Sequence, residues 1–285
     1  HWSRGLGDVY KRQIQDRPGD EIGANQCNSI RSSIRCTANS RMGRRIDRGL
    51  LQLGSRMTRL SRNMAIRSFL KPAKEVPTTW WSSTNPMDTR PRISTLVILC
   101  IGLWIFGTGD AILIAAGIGN TPWTVLAEGI AKMMGGSIGQ ATLLVSLAVL
   151  FLWIPLKERP GVGTILNAVL IAAAIEYMLP VMPTPDGTIQ AVIQVLMGVV
   201  LVGIGSGIYL TANLGPGPRD GWMTGIQRIS GVPIGSVRAG IEISVVIIGW
   251  LLGGTVGLGT LLFAILIGPI VAVSLNVAGR VGAEH

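Results

Sequence analysis

The sequence predicts an all-α membrane protein. Six transmembrane helices form two inverted three-helix repeats, and each repeat adds a short re-entrant or interfacial helix. Three observations predict this. Six apolar runs follow one another from Ile93 onward, the second half of the chain matches the first at a constant offset of 96 residues, and the Lys and Arg between the runs alternate between rich and poor segments.

The runs cover 93–117, 138–156, 162–182, 189–212, 234–252 and 256–279. A helix needs about 20 mostly apolar residues to cross about 30 Å of hydrocarbon, and six such runs in succession leave no room for a soluble core. Turn chemistry separates them: Gly117 to Pro122, Lys157 to Gly161, Pro183 to Gly187, Gly215 to Pro218, and the tight link at Gly253-Gly254. With a cytoplasmic N-terminus, the inner segments hold Arg90, Arg92, Lys157, Arg159, Arg219, Arg228 and Arg280, and the outer ones only Lys132. Loop Lys and Arg favour the cytoplasmic side, so both termini are expected there.

Aligning 107–179 with 203–275 needs no gap and gives 21 identities in 73 positions. Gly161-x-Gly163-Thr164 falls on Gly257-x-Gly259-Thr260, and Ile138-Gly139 on Ile234-Gly235. Repeat one is 93–182 and repeat two 189–279. Three spans per unit is an odd number, so the second unit enters the membrane from the opposite face. Between the first and second spans of each unit lies a segment of about 13 residues, Pro122 to Met134 and Pro218 to Ser230. That is too short to span. Thr121 is placed to cap the first segment and Pro122 suits its first helical position. Re-entrant and interfacial placements both remain open for these two.

The charge is divided unevenly. Residues 1–86 carry 16 Lys+Arg against 6 Asp+Glu, the whole of the chain's net +10, while 87–285 carry 9 of each. The first 86 residues show no sustained periodicity. Asp8-Val9-Tyr10-Lys11-Arg12-Gln13 reads like a translated sequencing-library adaptor. Residues 1–86 are therefore expected to be a disordered or spurious extension packing against nothing, with Met87 as the start and 87–285 as the membrane domain. The basic segment lacks the aromatic-basic interleaving of a nucleic-acid surface, so no nucleic-acid partner is expected.

The two histidines are the chain ends, His1 and His285, and the three cysteines fit no metal or redox spacing. No metal, no cofactor and no His-dependent nucleophile is expected, and so no enzyme. The residues that point to chemistry lie elsewhere. Asp110, Glu176, Arg238 and Glu242 fall inside spans, where ionisable groups are costly and face a partner or a wet cavity. Arg238 and Glu242 are four apart and share a helix face, as a structural ion pair also requires. Asp110 and Glu176 are candidates for proton coupling. Asn120, Pro122 and Trp123 in unit one, and Pro218, Arg219 and Asp220 in unit two, mark the matched helix breaks. Transporters place solutes at such breaks. With Arg238 and Glu242 these are the candidate solute contacts. The opposing reading of Arg219 is a rigid turn in which it pairs with Asp220.

Leu214-Gly-Pro-Gly-Pro-Arg-Asp-Gly221, Val237-Arg-Ala-Gly-Ile-Glu242 and Gly249-Trp-Leu-Leu-Gly-Gly254 followed by Gly257-Leu-Gly-Thr260 resemble the YczE/YitT-like family of bacterial integral membrane proteins. So do Gly119-Asn-Thr-Pro-Trp-Thr-Val-Leu126 and Pro160-Gly-Val-Gly-Thr164. The resemblance covers about 95–280 and implies a multi-pass protein of the bacterial cytoplasmic membrane, with no substrate or catalytic residue to carry over. The expected function is transport of a small, anionic solute across the bilayer that houses the protein. The alternative is a membrane accessory or substrate-binding subunit without its own energy coupling. Oligomeric state is not legible.

Overall fold

The computed structural model describes residues 76–283. Among them are eight helices, one 3-10 turn and no strand: α1 (Ile93–Ala116), α2 (Pro122–Met134), α3 (Ile138–Leu156), α4 (Val162–Met178) running into the 3-10 turn Leu179–Val181, α5 (Thr188–Thr211), α6 (Pro218–Ser230), α7 (Ile234–Leu251) and α8 (Leu258–Val281). Six of these are long and apolar enough to cross a membrane, and each boundary falls within two residues of its apolar run. α2 and α6 are the 13-residue exceptions, and their ends are related by the same offset of 96.

Local signals set the helix ends. The Thr121 side chain accepts from the Thr124 amide, Pro122 occupies the first turn of α2, and Gly135 ends it with φ of 67°. Only a residue without Cβ adopts that conformation at no cost. Ser137 and Gln140 form a reciprocal capping box at the start of α3. In α4 and α8 the first Gly amide of Gly-x-Gly-Thr donates to the Thr hydroxyl three residues on, Gly161 to Thr164 at 3.1 Å and Gly257 to Thr260 at 3.3 Å.

α1 and α5 make the most extensive interface. They cross closely at Gly102 and Gly109 of α1 and at their counterparts Gly198 and Gly205 of α5. A Cβ on Gly109 would meet the Val202 amide nitrogen at 2.7 Å, and one on Gly205 the Phe106 amide nitrogen at 2.6 Å. Small residues let apolar helices approach to backbone contact, where dispersion does the work that water-driven burial cannot do in lipid. α4 flanks α1, and α8 flanks α5.

The short helices cross over. α2 packs on α7 as well as on its neighbour α3, and α6 packs on α3 as well as on α7. The loops before them do the same. The Leu214 carbonyl accepts from the Gly163 amide of α4 at 2.8 Å, and the Ile118 carbonyl accepts from the Gly259 amide of α8 at 2.9 Å. The second glycine of each Gly-x-Gly-Thr is thus where the other unit's loop lies against a helix start. A Cβ on Gly163 would stand 2.8 Å from the Leu214 oxygen. The last turns are also exchanged. Lys132 of α2 donates to the Gly253 carbonyl after α7, at 2.8 Å, and Arg228 of α6 donates to the Leu156 carbonyl at the end of α3. Each cation satisfies a carbonyl at or just past a helix end.

The expectation that the residues before Met87 pack against nothing does not hold for 76–86. Trp81 is buried, and its indole N–H donates to Thr211 Oγ1 at 3.0 Å. Ser82 Oγ donates to the Thr211 carbonyl at 2.5 Å, the Trp80 amide to Gly282 at 2.9 Å, and Asn213 Nδ2 to the Ser83 carbonyl at 2.8 Å. Residues 76–86 therefore pack across the ends of α5 and α8. Indole is a large apolar surface with one donor, and Thr211 supplies the acceptor. The expectation for residues 1–75 lies outside the described residues.

Candidate functional site

A cavity of about 330 Å³ lies where the N-termini of α2 and α6 meet. Pro122 and Trp123 reach it from α2, Pro218, Arg219 and Asp220 from α6, and Arg238 and Glu242 from α7. Seven of the eight sequence-derived solute contacts thus share one cavity. Trp123 and Arg219 occupy matched positions 96 apart, and they touch: the guanidinium carbon sits 5.1 Å from the indole centroid. That distance is within cation–π range. Trp222 stands edge-to-face to Trp123, with ring centroids 6.1 Å apart.

The Arg219 guanidinium has no hydrogen bond or ion pair among the described residues, so the Asp220 ion pair of the opposing turn reading is not formed. Asp220 instead accepts from the Tyr209 hydroxyl at 3.1 Å. Arg238 Nε and Glu242 Oε1 are 2.9 Å apart, the i,i+4 pair their spacing predicts. A guanidinium that is stacked but not hydrogen-bonded, inside a cavity, keeps its planar fork free for a carboxylate or phosphate.

Asp110 is buried on α1 and does not line the cavity, although it lies close enough for the charge of Arg219 to reach it. Neither of its carboxylate oxygens makes a hydrogen bond of good geometry among the described residues, although the Thr124 hydroxyl stands beside them. A buried carboxylate so placed is costly to leave ionised. Glu176, the other acid marked for proton coupling, does not line the cavity. It accepts from Ser137 Oγ and ties the start of α3 to α4.

Asn120 does not line the cavity either. Its side-chain amide donates to Glu128 Oε2 at 2.7 Å, and its backbone amide to the Thr255 carbonyl at 3.2 Å. Sequence reading missed Glu128, which organises this region. It accepts from the Thr255 amide at 2.8 Å and the Thr255 hydroxyl at 2.7 Å, and pairs with Lys132 at 2.7 Å. Burial by itself raises the Glu128 carboxyl, but the Lys132 ammonium and the two Thr255 donors outweigh it and hold the group below the ordinary carboxylate value. The spacing Glu128 to Lys132 was visible. The partner loop was not, because Thr255 is 127 residues away.

Sequence reading also missed the cavity's polar wall from the long helices: Asn167 of α4 and Ser206 and Tyr209 of α5. Single polar residues in apolar helices carry no pattern. Their convergence depends on how the helices are rotated.

The family model described as "Family of unknown function (DUF6198)" matches residues 93–276. The chain belongs to this DUF6198 family. An "Uncharacterized protein" of Haemophilus influenzae is 42% identical over 210 residues, 74% of this chain and 95% of that protein. Those 210 residues exceed the 199 that run from Met87 to His285, so the match reaches upstream of Met87. "Uncharacterized membrane protein YczE" of Bacillus subtilis is 34% identical over 181 residues, 63% of this chain and 81% of that protein. No solved structure matches. With six candidate spans and this kinship, the DUF6198 chain is a multi-pass membrane protein.

Proposed function

We infer that this protein is a carrier for a small anionic solute in the bacterial cytoplasmic membrane, with both termini on the cytoplasmic side. The observation that carries the reading is the free Arg219 guanidinium, stacked on Trp123 in a cavity where two short-helix N-termini meet. Helix N-termini add partial positive charge and unpaired amides to the same point. The reading takes the two units as inverted repeats with α2 and α6 as re-entrant elements. The exchanged packing supports it: the loop before each short helix lies on the other unit, and each short helix ends on the other unit's carbonyls. A two-fold axis in the membrane plane relates such contacts.

Asp110 is the group that couples solute to proton in this reading. An ionised Asp110 competes with a bound anion for the field of Arg219, and a protonated one does not. Binding of the anion and of a proton are then linked with the same sign. The test is binding of small carboxylates and inorganic phosphate to the purified protein, followed by uptake in proteoliposomes. Arg219→Lys keeps the charge and loses the fork, and should weaken binding at least about tenfold with unchanged abundance in the membrane. Asp110→Asn should bind the anion with little dependence on pH. Wild-type binding by Arg219→Lys would overturn the assignment of the site.

A further inference from the structure

We propose that the cavity opens sideways into the bilayer between α7 and α8, and that its ligand is an amphiphile with one anionic head and an acyl chain. The proposal rests on the anion reading of Arg219 and names the class of molecule it serves.

The opening shows in the comparison of two matched helix pairs. In the first unit, α3 and α4 pack together. A Cβ on Gly139 would meet the Ala172 carbonyl oxygen at 2.8 Å, and Ser137 is bonded to Glu176. The matched residues of α7 and α8 make none of these contacts. Pro233 replaces Ser137 and Ala272 replaces Glu176, which removes both ends of the hydrogen bond. A Cβ on Gly235 or on Gly268, the counterparts of Gly139 and Ala172, would meet nothing within 4 Å. α7 and α8 share no packed interface comparable to that of α3 and α4.

The gap leads to the cavity. Phe263, Ile267, Val271 and Leu275, four residues apart along α8, line it. This apolar wall runs about 18 Å at 1.5 Å per residue. The polar end holds Arg219. At the α7 edge stands the pair Arg238 and Glu242, whose side chains are 56% and 30% exposed although both lie within a span. Charge exposed at that depth needs water or a polar head group beside it. A free guanidinium, an apolar wall and a side entrance suit a molecule that is anionic at one end and apolar along its length. A purely water-soluble anion uses the first feature and neither of the others.

The test uses the full chain in phosphatidylcholine nanodiscs, with butyrate and dodecanoate as probes and empty nanodiscs as the blank. Dodecanoate should bind at least about tenfold more tightly in apparent terms, because the bilayer concentrates a chain-bearing anion at the opening. Gly235→Trp, on α7 and outside the cavity lining, places a ring in the gap. It should lower dodecanoate binding about tenfold and leave butyrate binding unchanged. Gly235→Leu, a smaller intrusion at the same position, should act in the same direction should Gly235→Trp fold poorly. If both probes bind alike and neither variant matters, the sideways entrance is overturned while the anion site stands. If Arg219→Gln binds both probes as the wild type does, the anion reading falls and this proposal with it. Efficient cross-linking of Gly268→Cys to the same position of a second copy would show that another protomer fills the gap, and would also overturn it.

Discussion

The pair α3 and α4 and the pair α7 and α8 come from matched stretches of sequence, yet one is closed and the other open. About 39% of the apolar window in α3 and in α4 is buried, against 17% in α7 and 11% in α8. Both pairs are equally apolar in character, so hydrophobicity does not explain the difference. In lipid, apolar side chains gain nothing by turning inward, and helices associate through close packing and hydrogen bonds. α3 and α4 have a small residue against a carbonyl and one hydrogen bond. α7 and α8 have neither. Two sequence-matched helix pairs thus differ by two side-chain partners, and that difference is enough to leave one packed and the other apart.

The largest expected contrast lies at the matched glycines. Gly139→Leu has to displace the Ala172 carbonyl and the Glu176 side chain, and should cost about 3 kcal/mol or more, seen as a fall in the thermal midpoint of the detergent-purified protein. Gly235→Leu, with open space around it, should leave the midpoint within about 0.5 kcal/mol of wild type. Equal losses at both positions would mean that the second pair is also closed.

Glu128 provides a sharper contrast with pH. Its carboxyl is held low in the folded protein, so its contribution to stability is complete above the unfolded value near pH 4.3 and is lost as the pH falls through the lower native value. Glu128→Gln should cost about 2 kcal/mol at neutral pH and flatten the acid limb of the midpoint curve. Its matched residue is Thr224, which bonds within its own helix to the Gly221 carbonyl at 3.0 Å. Thr224→Val should therefore leave the curve's shape unchanged.

The latch itself is worth less. Ser137→Ala removes the bond to Glu176 and one helix cap, and should cost about 1–2 kcal/mol and increase cysteine labelling at positions between α3 and α4. Smallest of all are the exchanged end caps. Lys132→Met and Arg228→Met should each cost at most about 1 kcal/mol, because both side chains are substantially exposed. A much larger loss at one of the two would show that the units do not share that contact equally.

The sequence by itself determined the helices, their order and the 96-residue offset that matches them. Apolar length marks a span because an unpaired backbone amide is intolerable in hydrocarbon, so every crossing must be a complete helix. Gly and Pro mark the ends for local steric reasons, and α2 and α6 were legible down to their Pro starts and Gly stops. Seven of the cavity's residues were legible too, because Arg219, Asp220, Arg238 and Glu242 are out of place in an apolar chain and Pro122, Trp123 and Pro218 sit at a matched break. Tertiary structure alone decided the rest. It docked Trp81 on Thr211, gave Asn120 to Glu128 rather than to the cavity, and turned Tyr209 and Asn167 toward Arg219's chamber. It also left α7 and α8 apart. Trp81 and Thr211 are 130 residues apart, and the other outcomes depend on how the helices are rotated, which no local pattern of residues encodes.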